Sequence, residues 1–238
     1  MRQLRKEIVS TAKLVKQLAR RKSQLLLMSN WPKKPFILAH RGARSLETEN
    51  TLAAFYRAFE LGADGFECDI FLSKDDVPVI MHDEKINRTT QGHGYVWEHT
   101  AHVLKQFGVP TLEEALNMVP RGSVINLELK GCGNKSPALL QKKVLALCPR
   151  KEKQDFDVII SSFNPDLIRG IHGYALGLLF ESFQEIEVPD FHVDALCVDF
   201  QELFSVPNAF RKILWTAPEI ETARDWLSIG ADGVIAEF

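Results

Sequence analysis

Apolar residues recur at three- and four-residue steps near the start of the chain, at Leu4, Ile8, Ala12, Val15, Leu18, Ala19 and Leu25, with Lys and Arg between them. This spacing predicts an amphipathic helix over residues 2–28, ended by Asn30, Pro32 and Pro35. From Phe36 the pattern changes to short apolar runs separated by helical stretches. The runs predict strands at Phe36–Ala39, Gly65–Leu72, Val77–His82, Val124–Leu129, Val158–Ser162, Ala175–Phe180, Ala195–Asp199, Ile213–Thr216 and Gly233–Ala236. A helix is expected at Asn50–Leu61, capped by Asn50 or Thr51 and closed near Gly62. Others are expected at Thr111–Met118 and at about 137–147, 164–172 and 219–229, while residues 84–110 are polar and Gly-rich.

Val77–His82 follows the second strand across the turn Ser73-Lys74-Asp75-Asp76 and is expected to be a hairpin addition. The other strands alternate with helices, which means a parallel sheet. Eight such strands in about 200 residues fit a closed (β/α)8 barrel at the short end of its size range. An open doubly wound sheet is the competitor, but the Gly-rich turn after its first strand is absent. The expected architecture is therefore a slightly degenerate α/β TIM barrel over residues 35–238. It carries a small insertion at about 84–110 after the second strand, and a basic amphipathic helical extension over residues 1–34. Twelve residues, 201–212, separate two late strands and include Pro207, too few for a barrel helix with its loops, so the far side of the barrel is expected to be trimmed.

Composition adds a charge asymmetry. The chain of 238 residues is 45% hydrophobic and 25% charged, which excludes a disordered or collagen-like protein. No window approaches eighteen consecutive apolar residues, so no membrane span is expected. The net charge of −2 argues against wholesale nucleic-acid binding. It conceals ten Lys/Arg against one acid in residues 1–34, and nineteen basic against thirty acidic side chains in the rest. Cys68, Cys132, Cys148 and Cys197 form no CxxC pair and are expected to be reduced thiols. Without an apolar signal-peptide core the default location is the cytoplasm, although the Arg/Lys-rich start leaves an organelle transit role open.

In a barrel of this kind the reactive groups cluster at the carboxyl ends of the strands. The first strand ends in His40-Arg41-Gly42. Glu67 and Asp69, two apart on the second strand, share a face, and Asn126, Glu128 and Lys130 repeat that alternation. The hairpin strand ends in His82-Asp83. Three carboxylates and one ammonium would leave a formal charge of −2 in a confined mouth, and each unpaired buried carboxylate costs several kcal/mol. Either protons or a cation must neutralise them. Hard carboxylate oxygens select Mg²⁺ or Ca²⁺ over Zn²⁺. His40 and His82 can divide proton uptake and donation near neutral pH. Arg41 and Lys130 suit a phosphate, one as a planar fork and one as a point charge. Together these groups describe phosphoryl-ester hydrolysis. Each element also has a structural reading: a hydrogen-bonded histidine, a solvated edge strand, or a Glu128–Lys130 ion pair across the barrel.

Ala39-His40-Arg41-Gly42, Glu49-Asn50-Thr51, Glu67-Cys68-Asp69, Val79-Ile80-Met81-His82-Asp83 and Asn87-Arg88-Thr89-Thr90 resemble, in that order, the glycerophosphodiester phosphodiesterase family. Leu127-Glu128-Leu129-Lys130, Ser162-Phe163, Trp215-Thr216 and Gly230-Ala231-Asp232-Gly233 continue the resemblance, which covers about residues 36–238. It implies metal-dependent hydrolysis of a glycerophosphodiester to sn-glycerol 3-phosphate and an alcohol. It implies His40 and His82 as general acid and base, and Glu67, Asp69 and Glu128 as ligands of Mg²⁺ or Ca²⁺. Arg41 and Lys130 would contact the phosphodiester, Glu49 would stand either behind the contact groups or near the metal, and Asn50 and Asp83 would stand behind the contact groups. Trp215 is implied as an apolar wall of the substrate mouth, with barrel packing as its other reading. Phe163 is read first as packing. The chain departs from the family at Thr48, at Ala217-Pro218 and at Glu237-Phe238, where the family's closing Thr-Asp is replaced.

Two other functions stay open at this point. One is phospholipase D-like hydrolysis of lysophospholipids, with the basic arm on an anionic membrane surface. The other is a catalytically silent barrel that acts as a binding module. Residues 1–28 are read as a contact for a membrane surface, for the barrel's own bottom or for another subunit.

Overall fold

The apolar runs become the strands β1 (Phe36–His40), β2 (Gly65–Leu72), β3 (Pro78–Ile80), β4 (Val124–Leu129), β5 (Asp157–Ser162), β6 (Ala175–Phe180), β7 (Ala195–Asp199), β8 (Arg211–Ala217) and β9 (Gly233–Ala236). The computed structural model describes residues 30–133, 135–148, 155–181, 190–206 and 210–238, so the helix expected over 2–28 lies outside the described residues. β1 pairs in parallel with both β2 and β9, which closes the sheet into a barrel. β3 pairs antiparallel with β2, outside that ring, as a hairpin.

The period of two along each strand sorts side chains between two cores. Phe36, Leu38, Val124, Ile159, Ala175, Ala195, Cys197, Ile213 and Ile235 form one buried cluster, the barrel interior, closed by Trp31. Trp31 packs on Phe36 with ring centroids 5.9 Å apart, and the Arg211 guanidinium lies 5.1 Å from its ring. The alternate residues Ile37, Ala39, Phe66, Cys68, Ile125, Leu127, Val158 and Ile160 join a larger cluster beneath the helices. All four cysteines are buried and free. Where Gly62-Ala63-Asp64-Gly65 and Gly230-Ala231-Asp232-Gly233 lead into β2 and β9, each Asp side chain accepts a backbone N–H from the neighbouring strand: Ile37 at 2.8 Å and Lys212 at 2.9 Å.

The outer layer contains α1 (Leu52–Glu60), α2 (Ala101–Gln106), α3 (Leu112–Asn117), α4 (Pro137–Leu147) and α5 (Ile220–Ser228). Helix α1 buries Ala54, Phe55 and Ala58, and Phe55 stacks on Phe66 of β2 at 3.9 Å. Thr51 is its cap, accepting the Ala54 N–H, which settles the choice between Asn50 and Thr51. The helix expected over 164–172 does not form. A 3-10 turn at Pro165–Leu167 takes its place, capped by Asn164, and the chain leaves it through Gly170 and Gly173 in the left-handed region (φ +79° and +87°). Between β7 and β8 the described residues hold a 3-10 turn at Phe200–Glu202, as the short spacing predicts. The 84–110 segment is more ordered than its composition suggests. Lys85 bridges Tyr95, a 3-10 turn follows at Val96–Glu98, and α2 is capped by Thr100. Its buried Ile86, Val96, Leu104 and Val109 join the outer core, so the insertion is anchored to the barrel.

Candidate active site

At the top of β1 the chain turns sharply. Arg41 and Gly42 both have positive φ, +57° and +80°. A Cβ on Gly42 would lie 2.6 Å from the carbonyl carbon of Ala54 in α1, so only glycine fits there. The turn directs the Arg41 backbone N–H onto Glu67 Oε2 at 3.1 Å. The Arg41 side chain reaches Glu49 Oε1 at 3.1 Å, and its Nε stands 3.5 Å from Asp69 Oδ2. Asn50, also left-handed at φ +57°, donates through Nδ2 to Asp69 Oδ2 at 2.8 Å.

Glu67 and Asp69 lie on the face of β2 opposite the outward Phe66, Cys68 and Ile70, and the register pairs Asp69 with Glu128 of β4. Glu67, Asp69 and Glu128 are 3%, 1% and 6% exposed, and one carboxylate oxygen from each lies within 4.8 Å of the others. Burial, then the Asp69 and Glu128 charges, push Glu67 well above the ordinary carboxylate range. Burial and the Asp69 charge raise Glu128 to about 7. Lys130 Nζ lies 3.0 Å from Asp69 Oδ1 and also bonds Glu128, so the ion-pair reading of Glu128 and Lys130 describes a real contact. Burial disfavours the Lys130 charge, but the two acids outweigh it and raise its pKa. Arg41 and Lys130 together still leave three buried acids short of compensation, and Arg41 is shared with Glu49. The three carboxylates therefore fit a divalent cation on the chemistry of their donors: hard oxygens, close together, buried and repelling one another.

Each candidate histidine has an acid on Nδ1. His82 Nδ1–H donates to Asp83 Oδ1 at 2.7 Å, and His40 Nδ1–H donates to Glu237 Oε1 at 3.0 Å. With Nδ1 committed as donor, the neutral ring offers Nε2 as its basic nitrogen. Burial lowers the His40 pKa below 6.5, and the hydrogen bond to Glu237 works against that shift. Burial would raise the Glu237 carboxyl, but His40 and Arg44 hold it down at about 2. Asp83 is likewise held at about 2, chiefly by hydrogen bonds from Arg88.

The sequence reading assigned no role to Glu237 or Arg88. Glu237 continues the inward alternation of Gly233 and Ile235, the same signal that singles out Glu67 and Asp69. It also bonds Arg44, while Ser45 bonds the Phe238 carbonyl, fastening the segment after β9 to the loop after β1. Glu49 sits among guanidinium groups rather than in the acidic cluster, accepting from Arg41 and Arg88.

At the rim, Trp215 is part-buried against the barrel interior and meets Phe163 edge-on at 5.8 Å. Its indole N–H is buried without a hydrogen-bond partner among the described residues. Phe163 is 43% exposed, with Lys130 Nζ 5.9 Å from its ring, so the packing reading of Phe163 gives way to a rim position. It follows the end of β5, beyond the layer that neighbouring strands can cover.

Residues 40–206 match the glycerophosphoryl diester phosphodiesterase family. A glycerophosphodiester phosphodiesterase of Caldanaerobacter subterraneus subsp. tengcongensis is 32% identical over 237 residues, covering 86% of this chain and 94% of that protein. The crystal structure of a glycerophosphodiester phosphodiesterase from Thermotoga maritima superposes with a TM-score of 0.70 at 28% identity, covering 85% of this chain and 94% of that one. An Oleispira antarctica phosphodiesterase, solved with sn-glycerol-3-phosphate, has the same fold, with a TM-score of 0.74 at 24% identity over 88% of this chain and 95% of its own. Among the described residues no helix is long and apolar enough to cross a membrane.

Proposed function

The chain belongs to the glycerophosphoryl diester phosphodiesterase family and is a phosphoric diester hydrolase, and we propose that it converts glycerophosphodiesters to sn-glycerol 3-phosphate and an alcohol with His40 and His82 exchanging the protons. The observation that carries this reading is the convergence of three buried carboxylates, two cationic side chains and two acid-backed imidazoles at one end of the barrel.

Glu67, Asp69 and Glu128 would hold a divalent cation, Mg²⁺ or Ca²⁺, which when bound supplies charge neutralisation and Lewis-acid polarisation of a phosphoryl oxygen. Arg41 and Lys130 bind the anionic phosphodiester. Lys130 is held in place by Asp69 and Glu128, and Arg41 by Glu49, so neither has to reorganise when charge develops on the phosphoryl oxygens. One imidazole, neutral, takes the proton of the attacking hydroxyl through Nε2 while the other, protonated on both nitrogens, gives its Nε2 proton to the departing alkoxide. Asp83 and Glu237, each accepting from Nδ1, fix the tautomer of the neutral ring and stabilise the charge of the protonated one. The scheme serves equally for attack by water and by the substrate's own glycerol hydroxyl; ³¹P NMR of the reaction mixture separates the two by the cyclic phosphate that the second route forms.

The experiment is a coupled assay for glycerol 3-phosphate released from glycerophosphocholine, with EDTA and then with added Mg²⁺ or Ca²⁺. Turnover that EDTA abolishes and a divalent cation restores is the expected result. Turnover indifferent to EDTA would overturn the metal assignment, and no glycerol 3-phosphate would overturn the reaction. The apolar surface of Phe163 beside Lys130 favours a second substrate, lysophospholipid, whose acyl chain would lie on that ring. Lysophosphatidylcholine in the same assay, with choline release as the readout, tests it.

A further inference from the structure

The insertion contributes one side chain whose contacts run towards both halves of the site. Arg88 Nε donates to Asp83 Oδ2 at 2.7 Å and Nη2 to Asp83 Oδ1 at 3.1 Å. Its other edge meets Glu49, with Nη1 donating to Oε2 at 3.1 Å and Nη2 to Oε1 at 2.6 Å. Both acids are therefore gripped bidentately by one planar guanidinium. The oxygens it grips are the ones used next: Asp83 Oδ1 accepts from His82 Nδ1, and Glu49 Oε1 accepts from Arg41 Nη1. We infer that Arg88 is a positioning residue, orienting the His82 imidazole through Asp83 and the Arg41 guanidinium through Glu49 without touching the substrate itself.

Exposure alone would argue for less, because the Arg88 side chain is 49% exposed and isolated surface ion pairs contribute about 0–1 kcal/mol. The geometry distinguishes this group from such a pair. Two forked contacts from one rigid plane fix the orientation of both carboxylates, and orientation is what a tautomer-setting acid must have. Asp83 is one-third exposed and, without Arg88, would retain among the described residues only its side-chain bond to the adjacent His82. The turn that presents Arg88 is itself built: Thr90 Oγ1 donates to the Ile86 carbonyl at 2.6 Å and accepts from Gly92 N–H at 3.0 Å. Ile86 in turn is fully buried in the outer core. The insertion therefore holds the histidine and the phosphate-binding arginine in one register, across a span of 39 residues between Glu49 and Arg88.

This inference rests on the catalytic reading of His82, and the test separates the two. With glycerophosphocholine and saturating divalent cation, kcat is measured for Arg88→Met, Arg88→Lys, Asp83→Asn, the Arg88→Met/Asp83→Asn double variant and His82→Ala, alongside thermal melting of each. Arg88→Met is expected to lower kcat about 10–100-fold, the usual cost of removing a group that orients a functional residue. Arg88→Lys should fail to restore it, because a point charge cannot span two forks. The double variant should lose little more than Arg88→Met alone, since the route through Asp83 to the imidazole already fails when Arg88 is gone. Unchanged kcat in Arg88→Met, full activity in Arg88→Lys, or losses that multiply in the double variant would each overturn the inference. Should Arg88→Met melt far below the parent, Arg88→Lys, which keeps the charge and the stem, carries the test. An active His82→Ala would instead remove the catalytic reading beneath it.

Discussion

His40 Nδ1 donates to Glu237 Oε1 at 3.0 Å, joining the end of the first barrel strand to a residue 197 positions away. Barrel closure creates this contact, because β9 pairs beside β1. Glu237 also bonds Arg44, so the acid that orients His40 is itself held by the loop that follows it.

Replacing Glu237 with Ala should lower kcat about 10–100-fold by freeing the His40 ring and its tautomer. Glu237→Gln, which keeps a carbonyl oxygen as acceptor, should lose less. Steady-state hydrolysis of glycerophosphocholine provides the measurement, and equal losses in the two variants would show that charge rather than orientation is the contribution of Glu237.

His40→Ala and His82→Ala should each cost about 10²–10⁴-fold in turnover, the range for a positioned proton-transfer group. Each histidine side chain bonds an acid at the barrel mouth, Glu237 or Asp83, so thermal melting of both variants should stay close to that of the parent. Activity retained in either variant would remove that residue from the scheme.

Metal binding and pH should be linked in a definite direction. Glu128 is raised from 4.5 to about 7 and Glu67 is raised as well, both first by burial. A carboxyl with a raised pKa holds its proton more tightly in the folded protein than in the unfolded chain. The metal-free fold therefore loses stability as pH rises from about 4.5 towards 7 and beyond, where the unfolded chain has already shed those protons. A divalent cation takes the place of the protons. The rise in melting temperature on adding Mg²⁺ or Ca²⁺ to EDTA-treated protein should accordingly be larger at pH 8 than at pH 5. A rise of the same size at both values would contradict this.

Gly42→Ala should destabilise the protein by about 1–3 kcal/mol from the left-handed backbone alone, and more if the Cβ contact with Ala54 is not relieved. Because the same turn aims Arg41 at Glu67 and Glu49, the variant should also bind substrate more weakly. Urea melts and the KM for glycerophosphocholine test the two effects separately.

The barrel strands were legible because each buries one face in the barrel and the other beneath the outer layer, which leaves unbroken apolar runs such as Ala175–Phe180, buried throughout. The helix expected over 164–172 misled because local periodicity carries no information about Gly170 and Gly173, which turn the chain where a helix would continue. Helix α2 was missed for the opposite reason. It is short and polar, with only Leu104 buried, so its signal is a Thr100 cap rather than an apolar stripe.

The site divides in the same way. Alternation along single strands was enough to pick out Glu67 with Asp69 and Glu128 with Lys130, since a period of two is a local property of the backbone. The ordered motifs around His40 and His82 were equally visible. What no local pattern contains is that Glu237 backs His40, or that Arg88 of the insertion reaches Glu49. Those pairings join residues far apart in sequence, and they exist only because the sheet closes on itself and the insertion docks on its rim. The residue types for the chemistry are a matter of sequence. Their mutual distances, and through them the protonation of the buried acids, are decided by tertiary structure, because electrostatic interaction depends on separation and burial and not on position along the chain.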